Sequence, residues 1–586
     1  MNKPLLLFFG LLISASSIYA QKSELSVEKI MQDPSWMGTF PSSVYWGTHS
    51  ETIYFDYNPN KNEADSLYKI KLNNSEKILK VSIEEQQELI PRSGNFNSNK
   101  TKKVFVENGN LMLYDLEKRQ RKELLDFSMA IDDPVFLQDE NRVAFEMADN
   151  IFIYHLGEGT IAQITHFKSG TQADTKDKSL SDKENWLKEE NLELLEVVKQ
   201  RKEKQESSKA YRDATREKKP FSFFLGDKDL SNLKLSPNAK YASFSLIKRE
   251  RGKSTEVPDY VNESGYTVNL PARSKVGDMQ FTAELGLYNL EKDTVFIVDF
   301  SELPGIDKLP DYTSDYPDKD WTTEVREVIP SDVKFSDNGK KAVVNLRSTD
   351  NKDRWIVLLN LENGKFKTIE HQRDEAWLAG PGIGYTYYGF ETMGWLPDDK
   401  HIYFQSEESG YSHLYLLNVD SQSKKDLTKG DYEVFDPFLS NDKKSWYLTA
   451  SKVHPGERHF YKMPVMGGKM EQLTQMTGNN QVQLSPDEKY MAISYSSSNT
   501  PWELYLKPTK SSKKARQITQ GQSEEFANYN WREPKLIEFG AEDGVMVPAR
   551  LYVPENSVKN NAAVVFVHGA GYLQNAHKWW SSYFRE

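Results

Sequence analysis

Hydrophobic and polar positions alternate in short runs along most of the chain, and the runs come as a repeated pair. After the turn at 484–487, Tyr490, Ala492 and Ser494 alternate with Met491, Ile493 and Tyr495; a polar loop follows, then the short run 502–506. A period of two is that of a strand with one buried face. The pair is written eight times. Its first halves, a polar turn and an alternating strand, lie at 46–55, 96–106, 136–145, 235–246, 335–346, 395–405, 438–449 and 484–495. Its second halves, each a strand centred on Tyr or Trp, lie at 67–72, 111–116, 151–156, 285–290, 355–361, 414–419, 460–465 and 502–506. Where nothing intervenes, successive starts are roughly 40–50 residues apart, the spacing of four-stranded propeller blades. One such sheet cannot cover both of its faces alone. The pattern therefore predicts a mainly β chain built as an eight-bladed β-propeller, in preference to a pair of β-sandwiches.

Two stretches break the period. Residues 174–219 are highly charged and lack strand patterning. Within them Trp186, Leu187, Leu194, Leu195, Val197 and Val198 recur at helical spacing, and Ser181 with Glu184 has the spacing of a capping box. Residues 258–281 read as an excursion from a blade edge, and 304–321 as a loop rich in Asp, Pro and Tyr. After residue 506 the pattern changes. Runs 534–540 and 545–553 read as two strands about a Glu-Asp-Gly turn. The unbroken apolar run 562–567 has the character of a strand buried on both faces, and 577–584 reads as the start of a helix. The end of the chain thus looks like the opening of an α/β domain. The predicted organisation is a signal segment at 1–20, a propeller at 21–530 with its helical insertion at 174–219, and an incomplete α/β domain at 531–586.

Charge and composition narrow the chemistry. Lys3, the apolar run 4–14 and the small residues before Ala20 form a secretory signal, with export and cleavage near Ala20 expected. The run is short of the ~20 residues a membrane span needs, so no membrane anchor is expected. A net charge of −11 leaves no basic surplus for phosphate, which excludes nucleic acid as a partner. With no cysteine there is no disulfide framework and no thiolate metal site. His454 and His459 are read as structural, and no metal or cofactor is expected. The glycine-rich stretch from Gly380 to Gly384 lacks the strand-to-helix context of a nucleotide loop and reads as a blade loop.

Several short runs, in this order, carry a resemblance: 114–120 (YDLEKRQ), 235–238 (LSPN), 254–258 (STEVP), 408–413 (ESGYSH) and 455–459 (PGERH). Together with the export signal and the late apolar strand, they resemble the prolyl oligopeptidase family, and within it the dipeptidyl peptidase IV branch. The resemblance implies an eight-bladed propeller capping an α/β-hydrolase domain, a Ser-Asp-His triad, and cleavage of short peptides, with dipeptides released from N-termini, often after proline. It also implies a homodimer through the propeller and hydrolase domains. Such a hydrolase carries its nucleophile on a G-x-S-x-G elbow. That motif is absent from the sequence, so the triad is expected outside it and the polypeptide as written is expected to be inactive. Ser581 and Ser582, beside Trp579 and Trp580, are poor substitutes.

Two groups of residues are candidates for the site. The stretch His568-Gly569-Ala570-Gly571-Tyr572 follows the apolar run, where hydrolases place a turn with donors for a developing oxyanion. Family members of this branch have a tyrosine where His568 stands, so backbone N–H groups near Gly569, or the Tyr572 hydroxyl, take the role here; the competing reading is a plain strand-ending turn. Glu189 and Glu190 follow Trp186 with W-x-x-E-E spacing. The resemblance implies that such a pair holds the substrate's free amino terminus; the competing reading is a solvated helix face. The family's supporting arginine has no match, and Val104 falls near its place. A second function stays open at this point: a non-catalytic propeller that binds a peptide or protein partner.

Overall fold

The computed structural model describes residues 25–172, 181–215, 219–249, 253–275, 278, 281–321, 325–384, 391–510, 512–554, 562–569 and 573–581. The expected signal segment, Ala570 to Tyr572 and Ser582 lie outside them. Eight antiparallel sheets follow one another as the blades of a propeller, at 42–80, 95–125, 131–163, 229–297, 328–373, 393–426, 434–472 and 479–517. Each has four strands in sequence order; in the fifth blade two short segments share the first position.

The strands that the alternation picks out are the second and third of each blade. In the eighth these are Tyr490–Ser497 and Thr500–Pro508, paired with Ala492 opposite Leu506 and Ile493 opposite Tyr505. Middle strands are covered on both faces, as in Ala342–Ser348 and Asp353–Leu359, whereas the outer strand Lys424–Asp426 is exposed throughout. The turn between first and second strands is chemically encoded. A serine hydroxyl donates to an Asn or Asp two residues on, at 2.8 Å for Ser236–Asn238 and 2.7 Å for Ser485–Asp487. The same hydroxyl accepts the N–H of the residue that opens the second strand, Tyr241 or Tyr490. Such side-chain bonds replace the ladder where the backbone reverses.

The chain divides into two compact units, 1–88 with 438–464 and 469–586, and 89–437 with 465–468. In the first, the opening blade packs on the last: Ile53, Phe55 and Ile70 share a core with Ala492, Leu504 and Leu506. The Trp46 indole donates to Gln483 O at 2.8 Å, and the N–H of Asp487 to Ser50 Oγ at 3.0 Å. In the second unit, neighbouring blades share cores such as Leu285 and Leu287 with Trp355 and Val357, and Ile356 with Trp395, Ile402 and Phe404.

The insertion between the third and fourth blades holds two helices, Asp182–Leu194 and Glu196–Thr215. Ser181 and Glu184 form the capping box. The apolar residues at helical spacing are all exposed, Trp186 to 58%. The excursion near 258–281 is a hairpin, Ser254–Asp259 with Val268–Ser274, set between the second and third strands of the fourth blade. The loop around 304–321 is tied down by Arg326 Nε to Ile306 O at 2.8 Å and by the Trp355 indole to Pro304 O at 2.9 Å.

The C-terminal region departs from expectation in two places. Strands Lys535–Gly540 and Met546–Leu551 form the expected hairpin. The apolar run 562–567, expected as a buried strand, forms no strand, with Val564 fully exposed and Val565 81% exposed. A strand exists only as a member of a sheet, and none of the sheets among the described residues includes this run. The expected helix from 577 is not formed at 577–581. Its amides are spent elsewhere: Lys578 N on Gly456 O at 2.9 Å, Trp580 N on Ser496 Oγ at 2.8 Å. Among the described residues no helix is long and apolar enough to cross a membrane.

Candidate functional site

Glu189 and Glu190 stand in the middle of the helix Asp182–Leu194. Consecutive helix positions are about 100° apart around the axis, so the two carboxylates diverge. Glu189 is exposed and Glu190 half-buried. The pair therefore does not converge on a single point. Val104 is core of the second blade, fully buried, and is no part of a site.

His568 and Gly569 belong to the other unit. The His568 ring is turned back on its own chain, Nδ1 facing Gly569 O at 2.7 Å. A Cβ at Gly569 would meet nothing within 4 Å, so this glycine leaves its backbone open to approach. His454 and His459 have structural partners. His454 Nδ1 accepts the N–H of Gly456 at 2.8 Å, and His459 Nε2 lies 2.9 Å from Glu457 Oε2.

Two polar nests inside the second unit gave no signal in the alternation. Arg354, 2% exposed at its side chain, donates from Nε to Asn345 Oδ1 at 2.8 Å and from Nη1 to Gln405 O at 2.6 Å, which joins the fifth blade to the sixth. Its Nη2 lies 3.8 Å from Glu391 Oε1. Burial pushes the Glu391 carboxyl up, against the pull of Arg354. Asp353, fully buried, accepts from His371 Nε2 at 2.8 Å, from Arg326 Nη2 at 2.8 Å and from Arg373. Burial opposes its charge, but the bonds from His371 and Arg326 outweigh it and hold the carboxyl below the usual range. The stretch Gly380–Gly384 covers this region as a blade loop: Pro381 O accepts from Ser412 Oγ at 2.6 Å, and a Cβ at Gly382 would collide with the Gln405 side chain. A separate cavity of about 580 Å³ at the outer edges of the seventh and eighth blades is lined by Lys507, Lys510, Lys513 and Lys514 with Glu471. None of the candidate residues lines it.

The segment 574–580 docks on the seventh and eighth blades. Trp580 enters a nest with Phe526 and Trp531, ring centroids 5.5 Å from each. His577, 3% exposed, stacks on Trp579 at 3.9 Å. Burial, with Arg550 and Arg458 adding to it, lowers the His577 imidazole to about 3. Released from the blade, an imidazole titrates near 6.5. Docking is therefore at full strength above that value and weakens by up to about 1.4 kcal/mol for each pH unit below it. Amide exchange at Lys578 and Trp580, corrected for its intrinsic pH dependence, is expected to rise between pH 6.5 and 5. In His577→Gln this extra rise should vanish; its persistence would assign the effect to another group.

Comparison with known proteins fits this architecture. Residues 228–502 match the dipeptidyl peptidase IV (DPP IV) N-terminal region. A probable dipeptidyl-aminopeptidase B of Aspergillus oryzae is 26% identical over 245 residues, which cover 40% of this chain and 24% of that protein. Its counterpart in Aspergillus clavatus is 28% identical over 272 residues, covering 44% and 27%. The matched part thus spans about a quarter of these relatives' length (24% and 27%). The crystal structure of Porphyromonas gingivalis dipeptidyl peptidase 4 shares the fold, with a TM-score of 0.50 at 15% identity, over 90% of this chain and 67% of that one. In sequence, the chain is thus similar to the dipeptidyl peptidase IV-like proteins of the prolyl oligopeptidase family over its propeller.

Proposed function

We propose that this chain is the propeller-bearing part of an exported serine peptidase that releases dipeptides from the N-termini of short peptides, often after proline. The observation that carries the reading is the helix Asp182–Leu194, which presents Glu189 and Glu190 after Trp186 in an insertion between two blades of a DPP IV-type propeller. Two neighbouring carboxylates, both reachable from solvent, suit the ammonium of a free amino terminus. A site that fixes that terminus measures off a set number of residues to the scissile bond. On this reading the turn at 568–572 supplies oxyanion donors, from the backbone at Gly569 or from Tyr572. The G-x-S-x-G serine lies outside this sequence, and without it no acyl-enzyme forms. The complete protein, recovered from the exported fraction with Gln21 as its first residue, is expected to hydrolyse Xaa-Pro chromogenic substrates. The same substrates with an acetylated amino terminus should be refused, and the 586-residue polypeptide should cleave neither. Equal cleavage of free and acetylated substrates would overturn the exopeptidase assignment.

A further inference from the structure

The run Pro455-Gly456-Glu457-Arg458-His459 does more than close a blade hairpin. Each of its three middle residues grips the segment that follows the candidate oxyanion turn. Gly456 accepts the N–H of Lys578 on its carbonyl at 2.9 Å. The two backbones are so close that a Cβ at Gly456 would meet Ala576 O at 2.9 Å and His577 Cα at 3.0 Å, so only glycine fits. Glu457, almost fully buried, accepts from Lys578 Nζ at 2.8 Å and lies 2.9 Å from His459 Nε2 with its other oxygen. Arg458 donates to Gln574 Oε1 at 3.0 Å and lays its guanidinium over the Trp579 ring at 5.2 Å. The run is itself welded to the next blade: Arg458 N donates to Gly478 O at 3.0 Å, and Asn480 Nδ2 to Arg458 O at 2.9 Å.

A buried carboxylate is costly unless its charge is met. Here the cation that completes Glu457 comes from more than a hundred positions further along the chain. Nothing in blade geometry requires this: His459 already satisfies one oxygen. The geometry points to a clasp. The 455–459 turn of the seventh blade, with Glu457 at its centre, fixes residues 574–580 and thereby sets the position of His568 and Gly569 a few residues before them. Glu457 is in this sense a positioning residue; it touches no reacting atom. The clasp stands on the contacts just given, and its positioning role rests on the peptidase reading above.

Amide exchange on this chain tests the clasp without any activity. Glu457→Gln keeps the side chain's shape and removes its charge; Lys578→Met removes the partner from the other side. Each is expected to speed exchange at Lys578 and Trp580 by about tenfold or more, with exchange in the strand His459–Pro464 unchanged and the double variant no worse than either single one. Protection kept at Lys578 and Trp580 in both variants would overturn the clasp, as would protection lost only together with that of His459–Pro464. In the complete protein, Glu457→Gln is expected to lower kcat with KM little changed. Unaltered kcat alongside a released segment would overturn the positioning role and leave the peptidase reading standing. A complete unsubstituted protein without turnover would remove the peptidase reading and the positioning role together, while the exchange result would still decide the clasp.

Discussion

Arg354→Ala is expected to cost about 3–5 kcal/mol of folding stability, the price of stranding one member of a buried charge pair. The guanidinium sits between two blades; without it Asn345 Oδ1 and Gln405 O lose their donor, and the Glu391 carboxyl loses its neighbouring cation. Water does not replace it easily, because the side chain is closed off by Phe404 and the neighbouring strands. Urea unfolding should show a midpoint well below that of the parent. The pair is imperfect, since Arg354 Nη2 and Glu391 Oε1 each lack a hydrogen-bond partner. Arg354→Met combined with Glu391→Leu should therefore recover most of the loss, as both unmatched charges leave together. A loss under about 1 kcal/mol for Arg354→Ala, typical of an exposed pair, would show that the nest is open to solvent.

On the peptidase reading, Glu189→Ala and Glu190→Ala, each made singly in the complete protein, are expected to raise KM for substrates with a free amino terminus by about tenfold to a hundredfold. Each charge-assisted bond to an ammonium is worth about 1.5–3 kcal/mol. Because the bond is made equally before and during the reaction, kcat should move little. N-acetylated peptides serve as the control and should respond to neither change. The helix position makes the test clean: the carboxylates are exposed or half-buried on an insertion, where substitutions usually alter stability by less than about 0.5 kcal/mol. An unchanged KM would reduce the pair to a solvated helix face.

The propeller was legible because its information is local and repeated. The run 490–495 after a Ser-x-Asp turn names both the strand and the reversal before it, and the structure has both. Outer strands such as Lys424–Asp426 are short and exposed, so they carry no apolar pattern to read. The capping box at Ser181 was visible because its partners are three residues apart. Non-local features were invisible for the converse reason. Arg354 reads as a polar residue at the start of a strand, and only the assembled fifth and sixth blades enclose it. The 455–459 run was legible as a family mark, yet its work depends on Lys578. The apolar run 562–567 shows the opposite error: its composition asks for a strand, but composition supplies no partner edge.

The packing of the opening blade on the last has a consequence in time. Trp46 and Ser50 bond to residues 437 positions later in the chain. At a ribosomal rate of about 5–20 residues per second, the first blade waits roughly 20–90 s for its neighbour to be made. Throughout that interval the face carrying Ile53 and Phe55 has no Leu504 or Leu506 to cover it. A nascent chain stalled before the eighth blade is thus a sticky intermediate, and the protein's yield in a cell depends on what shields that one sheet during synthesis.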